Sequence, residues 1–222
     1  MKGMLIKDFR LLKNQGKTLL LMLFIVAIFM NFITDVGPSF IVGYITIIFS
    51  LFTITTISYD DFDNCYLFLM TLPITRKKYV NEKYLFALIS IIFTWCIDIV
   101  LGSVLLIVQS SVEVDAADWL GTCLGYIFTA WILVSVMLPI RLKFDSEKAR
   151  YANFILIAVV FIVAFLASKA SGYLPAEIVE TAKKWFLGMS EAGILGLFAG
   201  ITAAIAIISY VCSRRIMAKK EF

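Results

Sequence analysis

The sequence predicts an all-α integral membrane protein, and three observations carry that expectation. Of the 222 residues, 61% are hydrophobic and 16% charged, against about half and about a quarter in an ordinary soluble domain. The apolar residues gather into six runs, each near the ~20 residues a helix needs to cross a hydrocarbon core of roughly 30 Å. The lysines and arginines lie between those runs and fall overwhelmingly on one side. With no internal repeat, low-complexity tract or linker, residues 1–222 read as one membrane domain.

The leader, "MKGMLIKDFRLLKNQGK", carries five cations. Met4, Leu5, Phe9 and Leu12 share one helical face, with Lys7, Arg10, Asn14 and Lys17 opposite. That pattern predicts a basic amphipathic helix over 1–17, lying on the membrane surface before the chain enters it. A plain basic leader is the alternative. A cleavable signal is not, because the apolar run that follows is too long for one. The six predicted spans are Thr18–Thr34, Phe40–Ser58, Tyr84–Val108, Trp119–Leu138, Tyr151–Ala170 and Ala192–Cys212.

Orientation follows from the cations. The leader, the loops 59–83 and 139–150, and the tail after Cys212 hold seventeen of the twenty. The other side holds only Lys169, Lys183 and Lys184, with the acids Glu113, Asp115, Asp118, Glu177 and Glu180. Both termini and the two charged loops are therefore expected in the cytoplasm. Trp119, Tyr151, Tyr173, Trp185 and Tyr210 near run ends suit an interfacial aromatic belt. The long outer loop, 169–191, contains "AEIVETAKKWFLGM", which has helical spacing but reads equally well as a structured connector.

The loop 59–83 is unusual. "DDFDNCYLFLMTLPITRKKYVNEKYL", Asp60 to Leu85, opens with acids suited to a helix start. Phe62, Tyr66 and Leu69 then form an apolar stripe, Pro73 ends the helix, and Thr75 can cap the next. Such a segment could rest on lipid headgroups or press into a protein partner. The second inner loop, "LPIRLKFDSEKARY", begins at Pro139 and mixes charge with one aromatic, Phe144.

Several chemistries are excluded or weakened. There is no histidine, hence no imidazole base or metal ligand. Cys65, Cys96, Cys123 and Cys212 are scattered, without metal spacing. No GxxxxGK[ST] loop is present to cradle nucleotide phosphates. Within the spans, Asp98 in "TWCIDIVLG" has no cation in any span to pair with. It is expected to be protonated or hydrogen-bonded, in either a structural or a pathway role. Asn31 and the Ser/Thr series of the second span read as helix–helix glue, and "GLFAG" (Gly196 to Gly200) as a possible close-packing face.

The two inner loops carry a resemblance. "DDFDNCYLFLMTLPITRKKYVNEKYL" resembles the first cytoplasmic segment of ATP-binding-cassette (ABC) exporter permeases, and "LPIRLKFDSEKARY" resembles their second inner loop, except that Asp145 stands where a glycine is usual. The six spans and amphipathic leader match that group as well, nearest to permeases of phenol-soluble modulin and related peptide exporters. The resemblance implies a transport subunit, not an enzyme, in a bacterial plasma membrane. It would couple ATP hydrolysis by a separate cytosolic ATPase to export of amphipathic or antimicrobial peptides or other hydrophobic molecules. It implies a coupling helix in which Asp60, Asp61, Phe62, Tyr66, Leu72, Pro73 and Arg76 meet the ATPase, with Lys83 and Tyr84 seating the third span. Phe144, Glu147, Lys148 and Arg150 would make the second contact. The chain itself would bind no cofactor, ATP and magnesium belonging to the partner. A second permease, identical or related, membrane lipid and the substrate complete the implied partners, without nucleic acid. The competing reading is an ion-coupled secondary transporter or channel, which predicts inverted repeats and more intramembrane charge than Asp98 alone.

Overall fold

The computed structural model describes residues 2–34, 37–61, 68, 69, 71, 74–109, 116–144, 148, 151, 158, 162, 165, 166, 188 and 190–220. Among these every regular element is a helix: α1 (Lys2–Thr34), α2 (Pro38–Thr53), α3 (Thr55–Asp61), α4 (Arg76–Gln109), α5 (Ala116–Lys143) and α6 (Glu191–Lys219). Four helical stretches, Pro38–Asp61, Arg76–Ile107, Asp118–Lys143 and Gly193–Lys219, are long and apolar enough to cross a membrane. They correspond to the second, third, fourth and sixth spans expected from sequence. The fifth expected span and the loop 169–191 lie mostly outside the described residues.

The helix ends follow local chemistry. Pro38 opens α2 behind an extended Gly37, where a proline lacks only a bond it would not make. Thr75 caps α4: the Lys78 N–H donates to its hydroxyl at 3.3 Å. Ser190 caps α6, accepting from the Gly193 N–H at 3.3 Å.

Two boundaries differ from the sequence expectation. The amphipathic segment 1–17 is not a separate interfacial helix, because α1 runs unbroken for 33 residues from Lys2 to Thr34. Gly16 does not stop it. Its bare face lies where a Cβ would stand 3.6 Å from Leu12 Cγ and from the Phe49 ring, so neighbouring packing supports the helix through the glycine. Likewise the second inner loop does not begin at Pro139, since α5 continues through it to Lys143. Proline frees the carbonyl four residues back, here that of Ser135, and the Ser209 hydroxyl of α6 donates to it. The helix therefore continues with its backbone satisfied, as spanning helices require.

Between α2 and α3 the ladder breaks at Ile54, whose N–H donates to Leu51 O at 3.2 Å. Hydroxyls bond back onto carbonyls on both sides of the break: Ser50 to Thr46 O at 2.5 Å, Thr53 to Ser50 O at 2.6 Å, and Thr56 to Thr53 O at 3.0 Å. Such back-bonding bends helices.

Helices α2, α4 and α5 pack mutually, α1 lies along α2, and α6 lies against α5 and α4. Glycine sets two crossings. A Cβ on Gly43 would clash with the Tyr126 ring, and one on Gly102 would stand 2.6 Å from Val42 and 2.8 Å from Trp119. Small residues allow such approach where apolar burial gives helices no preference for each other over lipid. The outward faces of α4 and α6 (Ile92, Phe93 and Val104; Ile201, Ile207 and Ile208) remain exposed, as a lipid-facing surface would be.

Candidate functional site

The basic ends of the helices meet at one end of the bundle. Arg76, the first residue of α4, donates to Ala218 O in the last turn of α6 at 2.7 Å. Lys220 donates to Leu142 O at the end of α5 at 3.3 Å. Arg141 donates to the Ser58 hydroxyl of α3 at 2.9 Å. Arg76 and Lys220 thus sit on helix C-termini, where free carbonyls and the dipole favour cations.

Beneath this surface lies a buried knot of charge built from α1, α3 and α4. Lys83, nearly inaccessible, forms a hydrogen-bonded pair with Asp8 of α1 and lies 2.8 Å from Asp60 Oδ2 of α3. Lys7 pairs with Asp60 from the other side and stands 3.3 Å from Asp8 Oδ1. The Tyr79 hydroxyl donates to Asp60 Oδ2 at 2.8 Å, and the Lys83 ammonium lies 5.2 Å from the Tyr79 ring centroid. Glu82 is also buried, its carboxylate 3.9 Å from Lys83. Three acids thus face two ammonium groups in a place with little water.

Local chemistry explains the knot. Asp60 and Asp61 are the sixth and seventh residues of α3 rather than the first turn of a helix, which corrects the sequence expectation. A buried carboxylate is costly unless it is paired and hydrogen-bonded, and Lys7, Lys83 and Tyr79 offset that cost for Asp60. Spacing along α4 puts Tyr79 and Lys83, four apart, on one face toward α1 and α3. Asp8, the one acid in a leader of five cations, was the sequence signal for a buried partner.

Of the residues expected to meet a partner, Asp60 is 1% exposed and bound inside the protein. Its carboxylate is an anchor for this end of the bundle, not an exposed contact. Asp61 is half-buried and Arg76 is exposed while bonded to α6. Phe62, Tyr66, Leu72 and Pro73 lie outside the described residues, as do Glu147 and Arg150. Phe144 is half-buried, with the Lys143 ammonium 5.2 Å from its ring centroid, and Lys148 is exposed. Sequence reasoning missed Lys7, Asp8, Tyr79 and Glu82.

Deeper in the bundle, Asp98 is buried and accepts a hydrogen bond from the Thr46 hydroxyl at 2.8 Å. A second polar link joins three helices. The Tyr84 hydroxyl lies 2.5 Å from Ser209 Oγ and 2.8 Å from Ser213 Oγ, and Ser209 in turn serves the carbonyl freed by Pro139. Among the described residues no group of histidine, cysteine or acidic side chains is arranged to hold a metal ion. For Gly196 and Gly200, nothing described lies within 4 Å of a Cβ built at either.

Compared with known families, residues 3–218 match the model described as ABC-2 family transporter protein. No curated protein and no solved structure matches the chain.

Proposed function

The chain belongs to the ABC-2 family of transporter proteins, and on that premise we propose that its segment 60–83 takes up the closing motion of a separate cytosolic ATPase and relays it to helices that export amphipathic peptides or other hydrophobic molecules. Family membership makes the chain a multi-pass membrane protein and the permease subunit of an ABC transporter, which works with an ABC ATPase. Substrate, docking surface and assembly belong to the proposal. The assembly is two permeases, identical or related, with two ATPases that hold ATP and magnesium, in a bacterial plasma membrane.

The observation that carries the docking assignment is the charge knot. Asp60 and Lys83, near the two ends of segment 59–83, are both fixed to α1 through the same buried charges. A connector needs no such fixture; a segment that receives force does. The gathering of basic helix ends at one end supports a cytoplasmic placement by the positive-inside rule. Asp61, Arg76, Phe144 and Lys148 border that face, and Phe62, Tyr66, Leu72, Pro73, Glu147 and Arg150 are assigned to it by motif.

A mild-detergent pull-down from the native host, with ATPase activity assayed on the eluate, tests the reading. A nucleotide-binding subunit should accompany the parent and be lost from Asp61→Arg and Phe62→Ala. If no ATPase accompanies the parent, or if both variants retain it, the docking assignment fails. Buried Asp98 is the one observation favouring an ion-coupled transporter instead. Transport that persists in vesicles without the ATPase would select that alternative.

A further inference from the structure

A groove of about 450 Å³ runs along the basic half of α1. Leu12, Gly16 and Leu20 form one wall, with Phe49 of α2 and Phe93 of α4 opposite. The surface is almost wholly apolar, yet Lys13 and Lys17 also line it. Both lysines are exposed, and among the described residues neither has an ion-pair partner. The nearby Lys7, by contrast, is bound to Asp8 and Asp60.

We infer that this groove binds one anionic phospholipid of the leaflet on the side of the basic helix ends, an acyl chain lying against Gly16, Leu20 and Phe49 and the phosphate between Lys13 and Lys17. Charge complementarity selects that occupant. Two unpaired cations at the mouth of an apolar slot match an amphiphile with a negative head and a hydrocarbon tail. Their position, in the last turn and a half before the apolar run that begins at Thr18, is headgroup depth, where lysine stems lie on apolar surface and their ammonium groups reach the interface. A second copy docking on this face would bring like charges together. A basic amphipathic peptide would be repelled. Two lysines near an anionic headgroup should favour it over a zwitterionic one by about tenfold or more.

Gly16 makes the slot. A Cβ there would only touch Leu12 and Phe49 at 3.6 Å, so alanine fits, whereas a large side chain must project into the lipid's place.

Native mass spectrometry of the full chain in mild detergent tests this. Phosphatidylglycerol and phosphatidylcholine of the same chain length serve as probes, and thermal unfolding checks each variant. One phosphatidylglycerol should stay bound per chain in preference to phosphatidylcholine. Lys13→Gln with Lys17→Gln should lower its retention about tenfold, and Gly16→Trp should abolish it, whereas Gly16→Ala should keep it. Equal retention of both lipids, or retention of phosphatidylglycerol in both the glutamine and tryptophan variants, would overturn the assignment. So would a dimer mass that dissociates in Gly16→Trp, since the groove would then hold a second copy. Binding in detergent depends on neither the ATPase nor the transported substrate, so this outcome is separable from that of the pull-down.

Discussion

Replacing Lys83 with methionine tests whether the charge knot holds α1, α3 and α4 together. Methionine keeps much of the side-chain volume and removes the ammonium that binds Asp8 and lies 2.8 Å from Asp60. Removing one partner of a buried ion pair costs about 3–5 kcal/mol, because the other charge is left behind. Lys7 remains beside both acids, but its side chain is 32% exposed, so its charge is partly screened by water and compensates incompletely. The lower end, about 3 kcal/mol, is therefore expected. At 2–4 °C per kcal/mol for a chain of this size, the thermal midpoint in mild detergent should fall by about 6–12 °C. Adding Asp8→Asn should restore roughly half of that loss, because one stranded acid is then neutral. Lys7→Met should cost less than Lys83→Met. A fall of under 2 °C for Lys83→Met, or a larger fall for Lys7→Met, would refute the argument that Lys83 is the central charge.

Three further outcomes follow from packing and polar contacts. Ser209→Ala should destabilise by about 1–3 kcal/mol, by stranding the Ser135 carbonyl, and by much less in a Pro139→Ala background, where the helix supplies its own donor; equal losses in both backgrounds, read as thermal midpoints, would sink the Pro139–Ser209 link. Gly43→Val should cost about 1–3 kcal/mol through the Tyr126 ring, and Tyr126→Ala should recover part of it, so additive losses in the thermal midpoints would mean that the two residues do not meet. Asp98→Asn should leave the midpoint within about 1 kcal/mol because the Thr46 hydroxyl can still donate to a carbonyl oxygen, and transport unchanged at every pH would remove any role for its ionisation.

Much of the helical layout was legible in the sequence because apolar run length and cation placement are local signals. The described stretches Pro38–Asp61, α4, α5 and α6 contain the expected apolar runs and extend past their ends, since helices do not stop where polar flanks begin. Thr75 was readable as a cap because the residues around a helix start carry a local pattern. The charge knot was not legible. Asp8, Asp60 and Lys83 are far apart in sequence, and although Asp8 stands out as the one acid in a basic leader, nothing local says which residues it meets. The reading of Asp60 and Asp61 as a helix start failed for a related reason. The ammonium groups that hold Asp60 come from α1 and α4, and no pattern local to the segment announces them. Pro139 misled in the same way, because the donor that lets α5 continue is Ser209, 70 residues on in the sequence.

The unbroken α1 has a mechanical consequence. Pinned near Asp8 and continuous to Thr34, it is a lever arm of about 39 Å at 1.5 Å per residue. A tilt of about 10° at the pin would sweep the far end through about 7 Å, more than one helical turn of travel. A hinge after the leader would have absorbed that rotation close to the pin; a single rod carries it along its whole length.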